Sequence, residues 1–276
     1  MKEEIASSWK DFEKILESIE DLRRKARERQ YVSELLYRGQ SNSRSRLEKT
    51  LERTVSKPVG LEEYYRLTKQ AKPRIEKTFA GKSWKIPTSI QYSKWLKSKP
   101  YPPFNFQAYP YFVYLRHHRF PSPLLDWTGS PHIAAFFAME NLLSDAEYVS
   151  VYVFWEHTAG GRASVQNKPA IHGLGPNVRS HRRHVLQQSR YTICTAMTGD
   201  NWVYAKHEDV VSVGKTGQDL FWKINIPISA RIEFLKKLHK MNINSFSLFA
   251  TEDSLLKTLA TDIFVLNRTD MTTRVI

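Results

Sequence analysis

The sequence predicts an α+β fold: a single domain with a mixed or antiparallel sheet in its second half and an N-terminal helical part packed on it. Three observations predict it. Residues 9–138 place their apolar side chains mainly at three- and four-residue spacings. Residues 148–226 hold four runs rich in β-branched and aromatic residues. Nothing along the chain has the composition of a linker, an internal repeat or a low-complexity tract. The expected division is an N-terminal helix over 1–30 and a folded domain over 31–268, the latter with a basic, aromatic-rich helical insert at about 54–105.

The first helix follows Ser8, with Trp9, Phe12, Ile15, Leu16, Ile19 and Leu22 on one face and Asp11 placed to complete a cap. Its far end, Arg23 to Arg29, puts cations where the helix dipole favours them, which makes it a solvated helix end rather than a nucleic-acid patch. Glu34 to Gly39 reads as a short strand ended by glycine. A helix follows, with Tyr64, Leu67, Ala71, Ile75 and Phe79 on one stripe. Residues 81–105 mix Lys82, Lys85, Lys94, Lys97 and Lys99 with Trp84, Tyr92, Trp95 and Tyr101. Phe106 to His118 reads as helical, and Pro131 opens another helix from its first position, with Ile133, Ala134, Phe137 and Ala138 facing inward. Tyr148–Trp155, Arg190–Ala196, Trp202–Ala205 and Phe221–Ile226 read as strands, and 157–189 as a long loop with a short helix. Arg231–Met241 is expected to be a helix, Ser245–Phe249 a short strand and Thr251–Leu259 a capped helix.

With 41% hydrophobic and 12% aromatic residues the chain can bury a real core, which excludes global disorder. The 42 Lys and Arg outnumber 28 Asp and Glu, a formal charge of +14. That excess favours an anionic partner, such as nucleic acid, a phosphate-rich ligand or an acidic membrane surface. Only the clustering of the charges gives it weight. The opening residues lack the apolar segment of a signal peptide, and the longest apolar run, Ile133 to Met139, is far short of the ~20 residues that a membrane span needs. A cytoplasmic, reduced protein without membrane attachment is expected. The lone Cys194 forms no intramolecular disulfide and no Cys-based zinc site, and its Tyr191, Ile193 and Thr195 neighbours make it a buried strand residue.

Tyr37-Arg38-Gly39-Gln40 places an arginine at the end of an apolar strand, where it needs an anionic or carbonyl partner. Its planar fork suits phosphate or carboxylate, and Gly39 permits a turn or a close approach to the backbone. The structural alternative is a bridge from Arg38 to a carboxylate such as Asp126. Pro123-Leu-Leu-Asp-Trp-Thr-Gly-Ser-Pro131 places a carboxylate, an indole and a hydroxyl before a helix start. Thr128 or Ser130 can cap that helix, and its N-terminal amides suit an anion. Trp127 offers a stacking face. Equally, Asp126 can be a turn residue and Trp127 a core aromatic, and the residues alone leave both open. Arg116-His117-His118-Arg119 lacks the i,i+4 spacing of a two-histidine metal face, so no metal site is expected; one of the two histidines is a candidate cleft contact. In Gln187-Gln188 an amide can reach a ribose or base, or simply pair with backbone. Glu252 and Asp253 follow the Thr251 cap, and the helix dipole already accounts for them.

In this order the segments resemble the FRG-domain family. The resemblance rests on Tyr37-Arg38-Gly39-Gln40, on His118 through the Leu124-Leu-Asp-Trp-Thr128 run to Ala138, on Arg183 with Gln187-Gln188-Ser189-x-Tyr191-Thr192, and on Ile243–Leu255. The chain departs from the family pattern at Pro121-Ser122-Pro123, where the family tends to have Pro-Thr-Arg, and at Ser189, where it usually has glycine. The late acidic segment is also altered. The layout is similar to that of ADP-ribosyltransferases, and by that analogy the fold would be of their type. The resemblance implies NAD as the substrate nucleotide and a macromolecular acceptor, in a toxin or phage-defence setting. Arg38, with Gly39 and Gln40, would hold the pyrophosphate; Thr128 with Trp127 would position the nicotinamide–ribose end, with His118 beside them. Gln188 would stand where a glutamate is expected, and Asp126 would supply the missing carboxylate. The alternative is a non-catalytic module that binds nucleotide or nucleic acid, DNA or RNA, through the Lys–aromatic mixture at 81–101 and the basic loop at 179–184.

Overall fold

A computed structural model describes residues 1–79, 81–98, 108–141, 146–158, 168–178, 181–213 and 218–267. Lys99, Tyr101 and Arg179, and with them part of the expected insert and basic loop, lie outside the described residues.

The chain begins with strand β1 (Lys2–Ile5) and helix α1 (Trp9–Arg27), which Ser8 caps by accepting from the Asp11 amide at 3.2 Å while its hydroxyl donates to the Asp11 carboxylate at 2.9 Å. Strand β2 (Leu35–Gln40) follows, then helices α2 (Thr50–Thr54), α3 (Leu61–Thr78), α4 (Ser89–Lys97) and α5 (Tyr109–His117). Strand β3 (Leu125–Thr128) leads into α6 (Pro131–Glu140), in which Pro131 occupies the first position as its fixed φ favours. Strands β4 (Tyr148–His157), β5 (Ala170–Leu174), β6 (Ser189–Thr198), β7 (Asn201–Tyr204) and β8 (Gln218–Pro227) follow, with α7 (Arg182–Leu186) before β6 and α8 (His207–Val213) before β8. Helices α9 (Arg231–Lys240), α10 (Ser245–Phe249) and α11 (Glu252–Thr261) follow, and a π-helical turn, Asp262–Leu266, ends the described chain.

The strands form one mixed sheet in the order β1-β8-β4-β2-β3-β6-β5, with β7 added on β6. β1 runs parallel to β8 and the other pairs are antiparallel. The α+β class holds, but the sheet is not confined to the second half, because β1, β2 and β3 all join it. Leu125–Thr128, short enough to pass for a turn, is a strand because β6 pairs with each of its four residues. The stretch read as a loop over 157–189 also contains β5, an edge strand held by β6.

Ser245–Phe249 is a helix and not a strand: the Asn244 side chain accepts from the Ser247 amide at 2.9 Å, and that cap outweighs a weak strand pattern. On α3 the buried stripe is Leu61, Tyr64, Tyr65 and Thr68, one position off the expected one, so Leu67 and Phe79 face solvent.

One core lies between a face of the sheet and helices α1, α6 and α9, centred on Phe12, Ile19, Ala134, Val151 and Phe234. The N-terminal helix is therefore part of the main core. A second core joins α3, α4 and α5 to β6 and β7. Here Tyr65 stacks on Tyr92 at 3.9 Å, and Trp84 packs on Tyr111 and Tyr114. The aromatic residues of the basic segment are thus largely core, while Lys82, Lys85, Lys94 and Lys97 face solvent. A third core, with Trp127, Phe154 and Phe221, buries Cys194. Among the described residues no helix is long and apolar enough to cross a membrane.

Candidate functional site

β2 pairs with β4 along its whole length, from Leu35 opposite Trp155 to Gln40 opposite Ser150. With β3 it shares one residue pair, Tyr37 opposite Thr128. The sheet is therefore open between Arg38–Gly39 and Asp126–Trp127, and a cavity of about 430 Å³ lies at that opening. Its volume is that of a small-molecule site.

Arg38 spans the opening. Its Nη1 donates to the Asp126 carbonyl at 2.8 Å, in place of the ladder hydrogen bond that the separated strands cannot make. Its Nε is buried with no hydrogen-bond partner. Burial lowers the arginine's pKa, and the nearby Asp126 opposes that shift. The Asp126 carboxylate itself faces Arg116 of α5, which donates from Nε to Oδ1 at 3.1 Å and from Nη2 to Oδ2. Arg116 thus takes the bridge that sequence reasoning offered to Arg38. Burial works against the charge of Arg116, but Asp126 outweighs it and the net shift of its pKa is upward. The Asp126 side chain keeps 40% of its surface exposed.

Gly39 is required by close approach. A Cβ there would lie 1.9 Å from the Ala134 carbonyl oxygen and 2.6 Å from the Ala138 amide, both on the backbone of α6. Only a residue without a side chain lets β2 and α6 pack this closely.

The end of α5 supplies Arg116, His117 and Arg119 to the cavity. The Phe120 amide donates to the Leu115 carbonyl at 3.0 Å, and Arg119 has φ +62°, the geometry of a helix terminus that usually carries glycine. A non-glycine residue held there costs about 1 kcal/mol or more. The opposite wall comes from α7 and β6, with Arg183, Gln187, Ser189 and Tyr191, and from Phe137 of α6 and Phe249 of α10, whose rings meet edge to face at 6.1 Å. Arg183 lies over Phe249 at 5.4 Å, and its Nε is also buried without a partner. Among the described residues four arginines line this cavity against one carboxylate, which Arg116 already engages.

Residues 33–147 match the family model of the FRG domain. The chain carries an FRG domain. No curated protein and no solved structure matches the chain. The FRG match takes in β2, α5, β3 and α6, hence the Arg38, Arg116 and Asp126 side of the cavity. It stops before α7, β6 and α10, which furnish the other wall.

Within the FRG domain the structure brings together Arg38, Gly39, Asp126, Trp127 and Thr128 at the cavity. Trp127 reaches it without offering a stacking face: its ring packs on Phe154 at 5.6 Å, and its indole N–H donates to the Thr192 hydroxyl at 2.8 Å. Thr128 donates to the Gln187 carbonyl at 2.8 Å, and Ser130 caps α6. The first turn of α6 does not line the cavity. Gln40 lies outside it, its amide donating to the Arg46 carbonyl at 3.1 Å. His118 and Gln188 are exposed and also lie outside, and their neighbours His117 and Gln187 take the lining positions. Gln188 forms the turn into β6 with φ +47°, and its carbonyl accepts from the Gly129 amide at 3.0 Å. Sequence reasoning missed the edge-to-face pairing of Phe137 with Phe249 and Arg116 as the partner of Asp126. No group of metal-ligating side chains is found among the described residues.

His117 completes the site. Its Nε2 lies 3.0 Å from the Tyr191 hydroxyl, which lies 3.4 Å from His184 Nδ1; His184 Nε2 in turn lies 2.9 Å from the Pro176 carbonyl. Burial lowers the His117 pKa to about 4, and neighbouring His184, His181 and His118 act in the same direction against Asp126. The imidazole is neutral at physiological pH.

Proposed function

We propose that the cavity binds NAD, its pyrophosphate held by Arg38 and Arg183, and that the domain is an ADP-ribosyltransferase-like enzyme that breaks the bond between nicotinamide and ribose. One observation carries this reading. Two arginines that line the cavity each bury an Nε–H without a hydrogen-bond partner, and the one carboxylate that lines it among the described residues is already paired with Arg116. A buried cationic donor without an acceptor is costly, and a phosphate oxygen is the acceptor that a guanidinium fork suits best. Phe137 and Phe249 offer the faces for a planar ring. The exposed part of the Asp126 carboxylate is the group to take a ribose hydroxyl as positive charge develops on the sugar. Gln187 takes the amide role first given to Gln188.

Calorimetric titration with NAD, ADP and inorganic pyrophosphate, alongside a nicotinamide-release assay, tests both parts. NAD should bind, and Arg183→Ala should weaken it by about tenfold or more, the loss of one charge-assisted bond. Absence of binding by all three compounds at about 1 mM would overturn the reading.

The second reading, a nucleotide-binding module without turnover, is favoured by a specific feature: Asp126 is charge-compensated by Arg116, and Gln188 is not among the residues that line the cavity. NAD binding without nicotinamide release selects it.

A further inference from the structure

His117 lines two cavities. One is the arginine-rich cavity above; the other, of about 390 Å³, is bounded by the segment Gly81–Trp84, Tyr114, His118 and His181. We propose that this second cavity is the acceptor subsite, that it takes single-stranded nucleic acid, and that His117 receives the proton of the attacking acceptor group. The proposal rests on the reading of the first cavity as an NAD site.

The hydrogen-bond chain sets the His117 tautomer. The Pro176 carbonyl only accepts, so His184 carries its hydrogen on Nε2, and its Nδ1 accepts from the Tyr191 hydroxyl. Tyr191 then accepts from His117 Nε2–H. That leaves the lone pair of His117 on Nδ1, for which no partner is found among the described residues. A neutral imidazole with a free acceptor nitrogen thus stands between the two cavities.

The walls choose the acceptor class. Among the described residues no carboxylate lines the second cavity, so those residues offer an arginine or lysine side chain no counter-charge there. Lys82 lies over the Tyr114 ring at 5.7 Å, and that ring contacts Trp84 at 4.5 Å and His118 at 4.3 Å. Cations interleaved with aromatic faces suit a phosphate backbone whose bases can stack. Exposed Lys85, Lys94 and Lys97 continue the charge along α4 and the segment before it.

In the step, a lone pair of the acceptor oxygen or nitrogen forms the bond to ribose C1′. The C1′–N bond breaks, and its electron pair passes to the nicotinamide ring, which leaves neutral. The acceptor's proton goes to His117 Nδ1.

The test uses the full chain, NAD labelled on its adenylate phosphate, and fluorescent single-stranded DNA and RNA of about twelve nucleotides. Lys82→Glu should weaken oligonucleotide binding by about tenfold while changing NAD binding less than about twofold, and raised salt should weaken the wild type in the same sense. Arg183→Ala should do the reverse. His117→Gln should leave both affinities in place and reduce transfer of label to the oligonucleotide by about tenfold or more. If NAD binds but Lys82→Glu leaves oligonucleotide affinity unchanged, or the label goes to protein instead, the acceptor assignment is overturned and the NAD reading stands. If the wild type does not bind NAD, both fall.

Discussion

Replacing Gly39 by alanine adds one methyl group at the tightest strand–helix contact of the site. The new Cβ would sit 1.9 Å from the Ala134 carbonyl oxygen. The three nearest atoms that it meets all belong to the backbone of α6, so no side chain can rotate away. To restore an ordinary contact, α6 must retreat from β2 by roughly 1.5 Å, in a core packed at crystal-like density. Overpacking of this kind costs about 1–3 kcal/mol, and a clash with backbone belongs at the upper end, about 3 kcal/mol. For a chain of this size that is a fall in Tm of about 6–12 °C. Urea unfolding followed by tryptophan fluorescence, with thermal unfolding as a second probe, measures it. The same retreat moves Phe137 away from Arg38, so NAD affinity should fall with stability. A Gly39→Ala variant within about 0.5 kcal/mol of the wild type would refute the close-approach argument.

Three further outcomes are expected. Arg119→Gly should raise stability by about 0.5 kcal/mol, because glycine holds the left-handed conformation without strain, while ligand affinity falls; a stability loss in chemical denaturation would contradict the strain. Asp126→Ala should cost about 1–3 kcal/mol, since it leaves the Arg116 guanidinium shielded from solvent and unpaired, and Asp126→Asn should recover part of that; unchanged unfolding midpoints in both variants would count against it. The third concerns pH. His117 is neutral in the fold down to about 4, whereas the unfolded chain protonates it near the ordinary 6.5. Its contribution is therefore intact above 6.5 and is lost as pH falls from there towards 4. Unfolding curves between pH 8 and 5 should show that decline, and His117→Gln should flatten part of it; an identical pH slope in the variant would exclude His117 as a source.

What could be read from the sequence was whatever is encoded locally. Ser8 with Asp11 marks the start of α1, Pro131 marks α6, and the β-branched run at Tyr148–Trp155 marks the central strand β4, because caps and alternation act over a few residues. The four-residue β3 was not legible as a strand, since its hydrogen bonds come from β6, distant in sequence. The site divides the same way. The unusual pattern around Arg38 and Asp126 marks residues that the structure places together at one cavity. The exchange of Gln188 for Gln187 and of His118 for His117 was invisible, because each depends on how a helix ends, and Gln188 and Arg119 both adopt left-handed turns there. The pairing of Asp126 with Arg116 instead of Arg38 was equally hidden: two arginines compete for one carboxylate, and only the separation of β2 from β3 decides which reaches it.

The order of the strands has a kinetic consequence. The cavity takes Tyr37 and Arg38 from β2 and Phe249 from α10, near opposite ends of the chain. Contacts so remote in sequence form late and slowly. A chain released after β4 can hold Arg38 and Asp126 but lacks the Arg183 and Phe249 that complete the cavity. Ligand binding should therefore be among the last properties recovered on refolding, after the bulk of the secondary structure has returned.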